Sequence, residues 1–244
     1  MEWKDEGIVI ARRHHGESAA IVSLLTRGHG RHLGLVRGGT GRRAAGLYQP
    51  GNLVSAVWRG RLEEHLGSYA CEPLQSFAAR VIDDPLRLGA LTSACAIVET
   101  ALPEREPHQA LYQATLELFQ ELEGEGWAAQ YVRWECQCLA DLGFGLDLTQ
   151  CALTGTVEDL AYVSPRSGRA VSRAAAKPYA DKLFALPSFL AGRTKASPAE
   201  VLGALDMTGH FLERNVLAAN DKPIPQARIQ FIDRLRRSVT IARN

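Results

Sequence analysis

Ala19-Ala20-Ile21-Val22-Ser23-Leu24-Leu25 and Leu53-Val54-Ser55-Ala56-Val57-Trp58 are the stretches on which the fold turns. Each is a short apolar or alternating run bounded by Gly, Asn or charged residues, which predicts strands joined by turns rather than helices. Ile8-Val9-Ile10, Leu33-Gly34-Leu35-Val36 and residues 65–71 read the same way. Five short strands in the first eighty residues fit an OB-fold, a partly open barrel whose face and loops bind single-stranded nucleic acid. The connectors hold Arg12, Arg13, Arg27, Arg31, Arg37, Arg42 and Arg43, which makes nucleic acid the expected ligand.

Beyond Glu72-Pro73 the pattern turns helical. Asp84-Pro85 reads as a cap with proline in the first turn of a helix over 85–102. Further helices are expected over 107–123 and 127–142, then at about 176–185, 198–218 and from Pro225 to about Arg237. Residues 146–175 look irregular or β-like. The predicted class is α+β: a barrel over 1–78, then a mostly helical domain over 79–244 with a small insertion at about 146–175.

The 244 residues can bury a core. No apolar run approaches the ~18 residues of a membrane span, and the charged Met1-Glu2-Trp3-Lys4-Asp5-Glu6 lacks the apolar stretch of a signal peptide. Five scattered cysteines are expected to be reduced thiols in a cytoplasmic protein. The net charge of +1 hides a segregation. Residues 1–80 hold 11 Lys+Arg against 7 Asp+Glu, residues 81–150 hold 3 against 12, and residues 151–244 hold 14 against 8. A polyanion would be attracted to the two ends and repelled by the middle.

Arg37-Gly38-Gly39-Thr40-Gly41-Arg42-Arg43 is the richest segment. Its glycines allow close backbone approach to a ligand, and its arginines can grip phosphates bidentately. Arg12, Arg13, Arg31, Arg37, Arg42 and Arg43, with Arg59 and Arg61 at the tip after the fourth run, are the expected nucleic-acid contacts. Trp58, Tyr69 and Tyr48 could stack bases or pack the core, and packing is the expected role of Trp58. His14-His15 and His29/His32 lack cysteine or acidic partners at metal-ligand spacing, and Cys136-Gln137-Cys138 points its side chains apart on a helix. No nucleophile elbow, zincin motif, P-loop or dinucleotide fingerprint occurs, so neither catalysis nor a cofactor is expected. Arg133 is the only Lys or Arg between Arg105 and Arg166, a stretch with ten acids. It neighbours an apolar face expected of Tyr131, Trp134 and Cys138, which would suit an acidic peptide ending in a hydrophobic residue, or it is an ordinary helical ion-pair partner.

Taken in order, several short motifs resemble the RecO family of bacterial recombination mediators over nearly the whole chain. They are Gly7-Ile8-Val9-Ile10 with Gly16-Glu17-Ser18, Thr26 with Gly30-Arg31, Val36-Arg37-Gly38 leading to Arg42-Arg43, and Leu47-Tyr48-Gln49-Pro50. In the helical part they are Arg133-Trp134-Glu135, Leu142-Gly143-Phe144-Gly145-Leu146-Asp147 with Cys151, and Lys222-Pro223 with Arg228. The resemblance implies binding of single- and double-stranded DNA, annealing of complementary strands, and loading of RecA, with RecR, onto DNA coated by single-strand-binding protein (SSB), the work of the RecF pathway. It also implies that the helical domain receives the acidic C-terminal tail of SSB, with Arg133 facing the tail's carboxylate and Trp134 beside it. The competing reading is an OB-fold RNA-binding protein in translation or RNA processing, which the barrel and arginines fit equally well.

Many relatives carry a zinc ribbon of two C-x-x-C pairs at the insertion. Here those positions read Cys151, Thr154, Ser172 and Ala175. One thiolate cannot hold a structural tetrahedral zinc, so no metal is expected, and packing and hydrogen bonds must hold the insertion. Elemental analysis of purified protein should find far less than one zinc per chain, and stoichiometric zinc would refute this.

Overall fold

The computed structural model describes residues 1–192 and 195–241. Its contacts divide the chain into two compact units, Met1–Glu123 with Pro225–Phe231, and Gly124–Ile224 with Ile232–Asn244.

The first unit opens with β1 (Glu2–His15), β2 (Ala19–Thr26), β3 (Gly30–Val36), α1 (Arg42–Leu47), β4 (Asn52–Arg59) and β5 (Ser68–Ser76). The strands close a barrel in the order β1-β2-β3-β5-β4, which is the five-stranded topology of an OB-fold. Inward positions alternate as the sequence pattern requires: Val22 and Leu24 on β2, and Val54, Ala56 and Trp58 on β4, are all fully buried. Trp58 donates its indole N–H to the Leu66 carbonyl at 3.0 Å. Tyr48 and Tyr69 are also buried, so all three aromatics serve the core and none offers an open stacking face.

α2 (Phe77–Arg80), α3 (Pro85–Ala101) and α4 (Gln109–Glu121) complete this unit, with the start of α8 (Gln226–Ile241). Asp84 caps α3, its carboxylate accepting from the Leu86 and Arg87 amides at 2.9 and 3.1 Å, with Pro85 in the first turn. α3 packs on β1, and Gly51, at φ +94°, lets the chain pass so close to Leu91 that a Cβ there would sit 2.4 Å from its side chain. The boundary expected at 78/79 falls inside α2, two residues beyond the last barrel strand. The contact boundary falls after Glu123 because α3 and α4 share the barrel's unit.

In the second unit α5 (Trp127–Asp141) packs with α7 (Pro198–Phe211). The Thr208 hydroxyl bonds to the fully buried Glu135 carboxylate. β6 (Leu160–Val163), β7 (Ala170–Ser172) and β8 (Phe184–Ala185) form a small sheet in the order β7-β6-β8, with α6 (Arg173–Ala176) beside it. The helix expected over 176–185 is replaced by α6, a single 3-10 turn at Ala180–Lys182 and strand β8. Phe184 and Ala185 pair with Val163 and Tyr162 of β6. Ser197 and Glu200 form a reciprocal capping box at the start of α7. No helix among the described residues is long and apolar enough to cross a membrane.

His32 lies within the barrel's aromatic cluster, edge-on to Trp58 and Trp3 at 5.1 Å. Its Nδ1 is 2.9 Å from the Leu33 carbonyl and so carries the proton of the neutral ring. Burial pulls its pKa from 6.5 down to about 4; the Leu33 carbonyl and Glu104 oppose the shift, and Arg105 and His29 add to it. The unfolded chain therefore takes up a proton near pH 6.5 that the barrel refuses until about pH 4. Stability should fall as pH drops through that window, by about 2 kcal/mol between pH 7.5 and 5.0, and level off above pH 7. Urea unfolding of wild type and His32→Asn at both pH values checks this: the variant should lose most of that pH difference.

Candidate nucleic-acid interface

The segment between β3 and α1 is a built loop. Gly38 takes φ +66°, a conformation that favours glycine. Thr40 donates its amide and its hydroxyl to the Ser18 carbonyl at 3.3 and 3.2 Å. Arg12 donates to the Gly39 carbonyl at 3.3 Å. A Cβ on Gly39 would stand 2.7 Å from the Ala20 side chain, so glycine is needed for the loop to lie on β2. Gly39 thus serves close packing on the barrel and Gly38 the turn, and the loop presents Arg37, Arg42 and Arg43 to solvent. Among the described residues these three make no ion pair.

The other expected contacts divide. Arg61 is exposed and makes no ion pair among the described residues. Arg59 grips Glu2 with two bonds of 2.9 and 3.1 Å, an exposed pair whose partner also lowers the Glu2 carboxyl pKa. Arg13 pairs with Glu99 at 3.0 Å. Arg31 is turned inward and only 9% exposed, with its Nε on the Leu102 carbonyl at 3.0 Å and its Nη atoms 3.5 Å from Glu99 and Glu104. Arg12 supports the loop from beneath. Of eight expected DNA contacts, Arg31 is therefore a structural residue, Arg12 a positioning one, and Arg13 and Arg59 are already neutralised. The acceptors that claim Arg13 and Arg31 lie some 70 to 90 residues away on and after α3, beyond the reach of any local sequence signal.

In the second unit, α5 exposes Arg133 and buries its neighbours. The guanidinium lies over the Phe189 ring at 5.5 Å and reaches the Phe189 carbonyl at 3.4 Å. Trp134 is 1% exposed and packs with Tyr131 at 5.6 Å, and Tyr131 and Cys138 are fully buried. The expected apolar groove of Tyr131, Trp134 and Cys138 is a closed core face, and Trp134 cannot meet a docked peptide. A different hollow exists: about 190 Å³, lined by Ala129, Pro198, Val201, Leu235 and Val239 among others. Ala129 precedes Arg133 by one helical turn on the same side of α5. Sequence reading missed this hollow because its walls come from α5, α7 and α8 together.

At the insertion, Ser172 donates its amide to the Cys151 sulfur at 3.3 Å. Burial alone would raise this thiol; bonds from the Ser172 backbone, the Thr154 and Ser172 hydroxyls and the Leu153 amide outweigh it and bring the pKa down to about 6. The residues standing at two of the ribbon positions thus bond the remaining sulfur. Among the described residues no three His, Cys, Asp or Glu groups are placed to hold a metal ion.

A five-stranded barrel with a basic, ordered loop, followed by a mostly helical part, places the chain in the OB-fold class of proteins. Residues 1–77 match the family model described as Recombination protein O N terminal, and residues 82–222 match Recombination protein O C terminal. The chain is 54% identical over 242 residues to the DNA repair protein RecO of Rhodospirillum centenum, covering 98% of this chain and 97% of that protein. It is 52% identical over 250 residues to the DNA repair protein RecO of Rhodospirillum rubrum, covering 97% of each. With the corresponding protein of Cereibacter sphaeroides the identity is 50% over 237 residues, 97% of this chain and 99% of that one. The chain belongs to the RecO family.

Replacing Arg42 and Arg43 together by Ala should weaken binding to all DNA sequences about equally and lower the salt slope by roughly one unit per lost phosphate contact. Arg31→Ala should leave that slope unchanged and instead lower stability by about 2–4 kcal/mol, as expected when one member of a buried charged network is removed. Filter binding across a salt series, beside urea unfolding, separates the two effects.

Proposed function

We propose that this protein acts in DNA repair as a recombination mediator that binds DNA without making or breaking covalent bonds. The observation that carries the reading is the unpaired, preorganised Arg37/Arg42/Arg43 loop on an OB-fold barrel, in a chain of the RecO family. In this reading the loop, with Arg61, neutralises phosphates of single- and double-stranded DNA. Two strands held on one basic surface repel each other less, which favours annealing. The mediator loads RecA onto SSB-coated strands together with RecR. It works in the cytoplasm, on the nucleoid during repair.

The second unit supplies recruitment. The acidic, hydrophobic C-terminal tail of SSB is assigned to Arg133 and the hollow one turn away. The guanidinium receives the terminal carboxylate, and the apolar walls take the hydrophobic end. Phe189 holds the guanidinium in place through its ring and its carbonyl. Trp134 acts only by fixing α5 from inside.

Annealing of two complementary oligonucleotides, each coated with the cognate SSB, tests the function. The protein should accelerate it, and deleting the SSB tail should abolish the gain. Arg133→Ala should lower affinity for the tail peptide about tenfold or more while binding bare DNA like wild type, and the reverse pattern would remove Arg133 from the tail site. Preference for RNA over DNA of the same sequence, with no gain on coated strands, would favour the RNA-binding alternative.

A further inference from the structure

The barrel is closed weakly at one seam. β3 and β5 run parallel there and pair at a single position, Leu35 with Ser68. The far half of β5 pairs with β4 on one side and has no β3 partner on the other. α1 lies across this opening, and Tyr48, at its end, reaches the Cys71 backbone and thiol of β5. The result is an open groove of about 830 Å³ between the arginine loop with α1 and strand β5. That lies within the roughly 300–1,000 Å³ of clefts that hold small organic ligands.

The groove is polarised. Arg37, Arg42 and Arg43 stand on one rim, exposed and, among the described residues, without an ion pair. Glu72 stands on the β5 side, also exposed and without an ion pair among the described residues. The floor between them is apolar, made by Ala44, Leu47 and Pro73 among others. A nucleotide has the same polarity: a phosphate anion at one end, and at the other an apolar ring face edged with hydrogen-bonding groups. The loop after β4 does not offer this. It carries Glu63 and Glu64 close to Arg61, and Arg59 at its base is already held by Glu2.

We propose that the β3/β5 seam is a subsite for one unpaired nucleotide, its base seated on Ala44, Leu47 and Pro73 and its flanking phosphates on the arginine rim. This rests on the nucleic-acid reading given above and names what that loop selects: a strand whose bases are free. A duplex can lay its phosphates on the rim but keeps its bases stacked inside, out of reach of the floor. Glu72 keeps phosphates off the far wall and accepts hydrogen bonds from base edges.

The test uses the full chain and three probes: a thymidine oligomer, an oligomer of the same length with abasic sites throughout, and a duplex. Wild type should bind the thymidine oligomer at least about fivefold tighter than the abasic one, the low end of what one bound base contributes. Gly46→Leu places a side chain in the groove from a helical position where a Cβ meets nothing within 4 Å, and it favours the helix, so folding is retained. Leu47→Ala removes part of the floor. Both variants should cut the thymidine-to-abasic ratio at least threefold and leave duplex affinity unchanged. A wild-type ratio near one, or a ratio unmoved in either folded variant, overturns the base subsite while leaving phosphate binding intact. Should Leu47→Ala fail to fold, Gly46→Leu alone decides. Displacement of the thymidine oligomer by an acidic decapeptide from wild type but not from Gly46→Leu would overturn it too, giving the groove to a peptide. Failure to bind any of the three probes would overturn the nucleic-acid reading itself.

Discussion

The carboxylate of Glu99 is the interaction on which the rest of the first unit depends. From α3 it receives Arg13 of β1 at 3.0 Å, the Ser23 hydroxyl of β2 at 2.6 Å and Arg31 of β3 at 3.5 Å. One helix side chain thus ties three consecutive strands. Charged hydrogen bonds in a largely desolvated place are strong when fully satisfied and costly when one partner is lost. Arg31 is further fixed by the Leu102 carbonyl and Glu104, so the chain leaving α3 is held against β3 as well. Gly30 completes the fit: at φ +65° it brings the strand so near Glu106 that a Cβ would overlap the Glu106 carbonyl oxygen, 1.9 Å away.

That network changes what the surface can do. Arg31, turned inward to hold α3 to the barrel, has little surface left for a phosphate. With Arg31 turned in toward α3, and Arg13 and Arg59 in exposed ion pairs, the largest group of exposed cations without an ion pair among the described residues is Arg37, Arg42 and Arg43 on one loop, with Lys4, Arg27 and Arg61 exposed elsewhere on the barrel. The loop is kept in place by Arg12 and Ser18, so the ordering cost that a loose glycine-rich loop would meet on binding is met during folding.

The strands were legible because a barrel writes its burial into the sequence with period two, and Val22, Leu24, Val54, Ala56 and Trp58 all obey it. The start of α3 was legible because Asp84-Pro85 is a local chemical device. The division of labour among the arginines was not, since Arg13 and Arg31 are claimed by acids far along the chain. Trp134 misled in a related way. Neighbours on a helix point about 100° apart, so the exposure of Arg133 says nothing for the residue beside it. Residues 176–185 failed for a third reason: a run as short as Leu183-Phe184-Ala185 does not declare whether a helix or an edge strand such as β8 will use it.

Charge counted over the folded unit, rather than over a stretch of sequence, alters the electrostatic argument. Met1–Glu123 with Pro225–Phe231 hold 14 Lys+Arg against 15 Asp+Glu, so the excess of cations in residues 1–80 is cancelled once α3 and α4 join the barrel. A nearly neutral unit draws a polyanion only weakly through its net charge. Beyond a Debye length of about 8 Å at physiological salt, the patch itself is screened as well. Attraction then comes from a few arginines at close quarters, which implies a shallow salt dependence compared with proteins that track many phosphates. Such a surface holds DNA loosely through its backbone, and discrimination must come from whatever else it touches. For the Arg37–Arg43 loop that is the apolar floor of the seam, which only an unpaired base can reach.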